Sequence, residues 1–141
     1  ADPAAISING IIYRPTVIIY VTILLVAIGG ALGSVARYLF SSMVLRASGS
    51  LFPAGTFAVN ITGCIVFGLI IGAAQQRFVL APETRTFLLA GVLGGFTTFS
   101  SFAFESVALL RDGQLLAALV NITGQTVGGI LGLWAGYVVS S

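Results

Sequence analysis

Residues 17–45 read VIIYVTILLVAIGGALGSVARYLFSSMVL. About 20 apolar residues at ~1.5 Å of helical rise each cross the hydrocarbon core of a bilayer, so this run is read as a membrane-spanning helix. Outward from it, residues 46–53 (RASGSLFP) supply turn chemistry, and a second apolar run covers residues 55–74. Gln75, Gln76 and Arg77 close that run, and a polar connector through Pro82, Glu83 and Arg85 leads to a third at residues 87–110. Arg111, Asp112 and Gly113 make a tight turn before a fourth run at residues 115–139. None of the runs alternates apolar with polar residues, as the strands of a membrane barrel would. The fold class is an all-α membrane protein with four transmembrane helices.

Composition agrees and excludes much else. Charged residues make up 7% of the 141-residue chain and hydrophobic residues 57%, with a mean hydropathy of +1.09. Ten charges cannot cover a soluble particle of this size, so a soluble enzyme is excluded. With no histidine and one cysteine, Cys64, there is no zinc site, no haem ligation and no intrachain disulfide. The pI near 9.1 rests on a net charge of only +2, which gives no reason to expect a nucleic-acid partner. Residues 1–16 (ADPAAISINGIIYRPT) have weak periodicity and form an N-terminal extension of unknown role. An interfacial segment, a processed end or a remnant of expression all fit them. The first run is too long for a signal peptide and carries Arg37 near its far end.

All six basic residues are arginines. Arg14, Arg77 and Arg85 fall on the side that holds both termini, and Arg37, Arg46 and Arg111 on the other. An excess of basic residues normally fixes the cytoplasmic side. Three against three gives no such instruction. The chain is either oriented by a partner or by segment depth, or it inserts both ways up.

Eighteen glycines are nearly twice the usual share of about 7%. Gly124, Gly128, Gly132 and Gly136 form a stripe at i, i+4 spacing in the fourth run, and Gly29/Gly33, Gly68/Gly72 and Gly91/Gly95 repeat it elsewhere. Small residues let helix backbones approach closely in lipid. The single pairs suit packing within one chain; the fourfold stripe marks an interface without saying whose.

Polar groups at membrane depth need partners, so they carry the function. Counting rise along each run places Asn60 and Asn121 roughly 8–9 Å, and Gln125 roughly 15 Å, from the face opposite the termini. Phe99, Ser100 and Phe102 fall in the same half, and Arg37 and Glu105 near its surface. A permeation path needs hydrogen-bonding groups through the whole thickness, and this ladder stops halfway. An inverted second copy would complete it, which favours an antiparallel homodimer. Arg37 beside Tyr38 suits a structural, snorkelling arginine. Glu105 suits either pairing with an arginine or proton relay.

The most unusual stretch is residues 91–105, GVLGGFTTFSSFAFE. Adjacent Gly94 and Gly95 followed by Thr97 and Thr98 weaken a helix at mid-membrane, so a break in the third helix is expected. Broken helices expose carbonyls, which can hold a cation, and N–H groups, which can face an anion. Beyond the break, Phe99 and Phe102 share a face beside Ser100 and Ser101. Ring edges carry partial positive charge, so phenylalanines can line an anion path without trapping the ion.

At these residues the chain closely resembles the CrcB/Fluc family of fluoride channels. Three motifs carry the resemblance: GGALGSVAR at 29–37, GTFAVNITG at 55–63, and GGFTTFSSF at 94–102 followed by Glu105. It covers all four runs and marks residues 17–141 as the four-helix transmembrane domain. The resemblance implies a dual-topology homodimer in the cell membrane that lets fluoride leave the cytoplasm passively and so gives fluoride resistance. It implies Asn60 as a pore-lining amide, Phe99 and Phe102 as an aromatic box, and Thr98 and Ser100 as nearby hydroxyls. It further implies a structural sodium ion at the dimer centre, held by carbonyls of Gly94 and Thr97. The fourth run departs from the family's pattern by offering Asn121 and Gln125 as candidate donors. The rival reading is a small proton-coupled exporter of organic cations, which needs a mid-membrane carboxylate. Glu105 is the only candidate for that role, and it falls near an interface.

Overall fold

The computed structural model describes residues 6–8, 11–13, 15–49, 52–76 and 79–141. Half of the extension 1–16, together with Arg14 and Arg77 of the arginine balance, lies outside the described residues. Within the extension, β1 (Ile6–Ile8) pairs antiparallel with β2 (Ile11–Tyr13), with Ser7 opposite Ile12. The other elements among the described residues are helices.

The first helix runs Pro15–Ser48, and Gly49 ends it in the left-handed region at φ 56°. Its 34 residues are about 51 Å long, more than a ~30 Å core requires. The second helix is Ala54–Gln76 and the fourth Leu115–Ser140. Between them the third span starts as Pro82–Arg85, with proline in the first turn. It continues as a π-helix over Thr86–Leu93, then a last α turn, Gly94–Phe96. Thr97 and Thr98 are extended, and a new helix covers Phe99–Arg111. Asp112 and Gly113 turn the chain, Gly113 at φ 72°, into the fourth helix. Among the described residues, four segments are long and apolar enough to cross a membrane, with mean hydropathies of 2.3, 2.1, 1.6 and 1.5. The chain is a multi-pass membrane protein.

The break falls where the sequence placed it, but the residues divide the work differently. Gly94 keeps helical angles (φ −63°, ψ −37°). Gly95 lies against the first helix, and a Cβ there would meet the Gly30 carbonyl at 2.5 Å. The two threonines carry the extended backbone. The Thr98 hydroxyl then caps the new helix by accepting from the Ser101 N–H at 3.3 Å.

Glycine contacts also set the packing of the helices. The first helix meets the third span at Gly29 against Gly91 and at Gly33 against the Val92 carbonyl. The fourfold stripe serves the chain itself: Gly124, Gly128 and Gly132 receive Phe57, Ile61 and Ile65 of the second helix, and Gly136 lies on the Ile65 carbonyl. Gly68 and Gly72 answer from the second helix, against Leu133 and Tyr137.

The interior is polar for its size. Among the described residues the buried apolar side chains are Val59, Leu93, Leu109 and Ala118, while Thr56, Ser106, Asn121, Gln125 and Ser140 are buried beside them. Large apolar side chains such as Tyr20, Leu116 and Trp134 face outward. That inversion suits a protein whose solvent is lipid, where backbone approach and internal hydrogen bonds hold helices together.

Candidate functional site

An interrupted helix leaves backbone groups without ladder partners, and in a membrane they must find others. Thr98 finds Asn60. The Asn60 Oδ1 accepts from the Thr98 N–H at 2.9 Å, and Nδ2 donates to the Thr98 carbonyl at 3.1 Å. The same Nδ2 donates to Gln125 Oε1 at 2.7 Å. Gln125 Nε2 donates to Asn121 Oδ1 at 2.8 Å, and Asn121 Nδ2 to Ser106 Oγ at 2.9 Å. Ser106 donates in turn to the Phe102 carbonyl at 2.7 Å. The second helix, the fourth helix and the trailing half of the third span are thereby joined at one level.

The rings of Phe99 and Phe102 stand 5.5 Å apart between centroids and are tilted by 51°. Phe99 is 79% exposed on the single chain. Beside the rings, the Thr98 hydroxyl donates to Ser101 Oγ at 3.0 Å and lies 3.3 Å from Ser100 Oγ.

Two cavities meet at the break. One, of about 590 Å³, is a polar recess walled by Ser34, Arg37, Ser41 and Ser42 of the first helix and by Thr98, Ser100 and Ser101. The other, of about 290 Å³, is mainly apolar and includes Asn60, Cys64, Phe67, Leu93, Thr97 and Phe99. Thr98 lines both. A strongly hydrated ion in the first would have to exchange water for protein donors before entering the second.

The sequence-predicted residues separate into groups. Thr98, Ser100, Phe99 and Phe102 gather at the break, with Asn60 behind them. Asn121 has no exposed surface and Gln125 is 8% exposed, so both join the site through Asn60. Gly94 and Thr97 flank the apolar cavity. The extended angles of Thr97 (φ −80°, ψ 157°) turn its carbonyl out of the helical ladder, which suits an oxygen ligand for a hard cation. Among the described residues no cluster of three or more His, Cys, Asp or Glu could hold a metal. Arg37 stands in the recess wall, and no acidic side chain pairs with it among the described residues. Glu105 pairs with no arginine among the described residues: Oε1 accepts from the Thr56 hydroxyl at 2.6 Å, and Oε2 is buried without a hydrogen-bond partner there.

Sequence reasoning missed Thr56, Ser106 and the serines of the first helix. Each had a signal in its spacing. Thr56 is four residues before Asn60, Ser106 four after Phe102, and Ser34 is seven and eight residues before Ser41 and Ser42, so each set shares a helix face.

Comparison with known proteins bears on this geometry. Residues 24–137 match the family described as CrcB-like protein, Camphor Resistance (CrcB). A protein of Nitratidesulfovibrio vulgaris named fluoride-specific ion channel FluC is 46% identical over 114 residues, covering 81% of this chain and 92% of the relative. Bearers of the same name from Geobacter sulfurreducens (43% over 119 residues; 84% of this chain, 96% of the relative) and Solidesulfovibrio magneticus (48% over 111 residues; 79% and 89%) are similarly close.

Proposed function

The chain belongs to the CrcB family, and on that premise we propose that it is a fluoride-selective channel of the cell membrane, not an enzyme. The observation that carries the reading is the broken third span, where Thr98 joins a hydroxyl-lined recess to an apolar cavity beside the Phe99–Phe102 ring pair.

Fluoride is small and holds its water strongly, so it leaves water only for closely spaced donors. Arg37 draws an anion into the recess, where Ser100 and Thr98 offer hydroxyl protons. Ring edges of Phe99 and Phe102 take the ion onward with weak partial charge, so it is not held as it would be by a fixed cation. Asn60 keeps the break in shape behind them. Flow is passive, down the fluoride gradient and out of the cytoplasm, and gives resistance to fluoride.

The working unit in this reading is a homodimer with its subunits in opposite orientations. What supports it is the exposure of Phe99 and Gly94 on the single chain, together with the confinement of the polar set to one half of the membrane by rise. Carbonyls of Gly94 and Thr97 from both copies would hold a structural sodium ion between the subunits. Such an ion would neutralise converging helix dipoles and stabilise the pair. Replacing sodium with a large organic cation is then expected to weaken dimer association.

Growth provides the test. Expression in bacteria that lack their own fluoride export should restore growth in fluoride and leave sensitivity to toxic organic cations unchanged. Protection from the organic cations without protection from fluoride would favour the exporter reading and defeat this one.

A further inference from the structure

The hydrogen-bonded chain between Thr98 and Phe102 has a direction that its two ends fix independently. The Thr98 N–H can only donate, so Asn60 must present Oδ1 to it and turn Nδ2 toward the Thr98 carbonyl and Gln125. Gln125 must then present Oε1 to Asn60 and Nε2 to Asn121. At the far end the Phe102 carbonyl can only accept, so Ser106 donates to it and keeps a lone pair for Asn121 Nδ2. Both ends demand the same order, and turning any one amide over breaks bonds on both sides of it. Both Nδ2 hydrogens of Asn60 are engaged, one by Thr98 and one by Gln125. Ser106, Asn121 and Gln125 are all buried. The two backbone points held by the chain, Thr98 and Phe102, bracket the turn that carries Phe99 and its 5.5 Å ring pair.

We infer that Gln125, Asn121 and Ser106 are positioning residues for ion selection. They lock the Asn60 amide and clamp the turn from Thr98 to Phe102 against the second and fourth helices, without touching the ion. The inference rests on the fluoride-channel reading. A small anion is told from a larger one by donors and ring edges that cannot spread. Loosening the clamp lets the turn widen, so fluoride is stabilised less and chloride is excluded less.

The test compares Gln125→Met, which keeps the length and removes both hydrogen bonds, with Ser106→Ala and Ser106→Thr. The readouts are fluoride efflux from liposomes, the fluoride-to-chloride rate ratio, and the melting temperature of the purified protein. Gln125→Met should lower fluoride efflux at least about tenfold and lower the ratio as well. Ser106→Ala should do the same more mildly, and Ser106→Thr, which restores the hydroxyl, should recover both. Should Gln125→Met fail to fold, the Ser106 pair decides alone. A lowered melting temperature with efflux and ratio unchanged would overturn the inference, as would failure of threonine to outperform alanine. Wild-type protein that passes no fluoride would instead defeat the channel reading on which the inference rests.

Discussion

Asn60 takes the place of the helix for Thr98. One side-chain amide, on a different span, satisfies both backbone groups of the residue at the break, at 2.9 Å and 3.1 Å. Leucine at this position would fill the volume and leave the part-buried Thr98 N–H and carbonyl without their partner, at up to about 1–3 kcal/mol for each group. Asn60→Leu is therefore expected to lower the melting temperature of the purified protein clearly and to abolish fluoride flux. An unchanged melting temperature would show that the break is held by other means.

Ring chemistry at the break is separable from folding. Phe99→Ile and Phe102→Ile keep apolar bulk and remove the ring quadrupole. Each should reduce fluoride efflux on the order of tenfold or more, while elution on size-exclusion chromatography stays as in wild type. Phe104→Ile, at an exposed position farther along the same helix, should leave efflux near normal. Equal effects at all three positions would remove the ring pair from the pathway.

Two neighbouring glycines make a sharp comparison for packing. A Cβ on Gly33 would collide with the Val92 carbonyl, whereas one on Gly30 meets nothing within 4 Å. Gly33→Ala should separate the first helix from the third span and lower stability by about 1–3 kcal/mol, as overpacking does. Gly30→Ala should be tolerated. Thermal unfolding in detergent reads the difference, and equal melting temperatures would contradict the packing described.

The four spans were legible because a run of about 20 apolar residues has few other readings. The break was legible too: of the glycines and threonines that weaken the helix there, Thr97 and Thr98 carry the extended backbone, while Gly94 stays helical. Glycine weakens helices and also admits close neighbours, and sequence does not say which property is in use. Gly95 illustrates this, since its contact with Gly30 joins residues 65 apart. The π-helix over Thr86–Leu93 left no signal in an almost wholly apolar stretch. Asn60, Asn121 and Gln125 were found as polar groups at membrane depth. The bond from Asn60 to Gln125 was not, because a partner 65 residues away is chosen by how the second and fourth helices cross. The glycine stripe showed an interface, and only the packed helices identified the partner as the chain's own second helix.

Orientation can be read from one exposed position. Ser48 ends the first helix, on the side opposite the chain termini in the four-span topology. In a Cys64→Ser background, Ser48→Cys should react with an impermeant thiol reagent from both sides of the membrane in equal amounts. Labelling from one side alone would rule out subunits of opposite orientation.

The central claim is that this chain conducts fluoride selectively, and efflux from liposomes tests it most directly. Purified protein is reconstituted into vesicles loaded with fluoride or with chloride, a potassium ionophore relieves the charge, and ion-selective electrodes follow release. The account predicts rapid fluoride release that needs no proton gradient, with chloride release at the level of protein-free vesicles. Fluoride release no faster than from protein-free vesicles, or equal release of both anions, would contradict it.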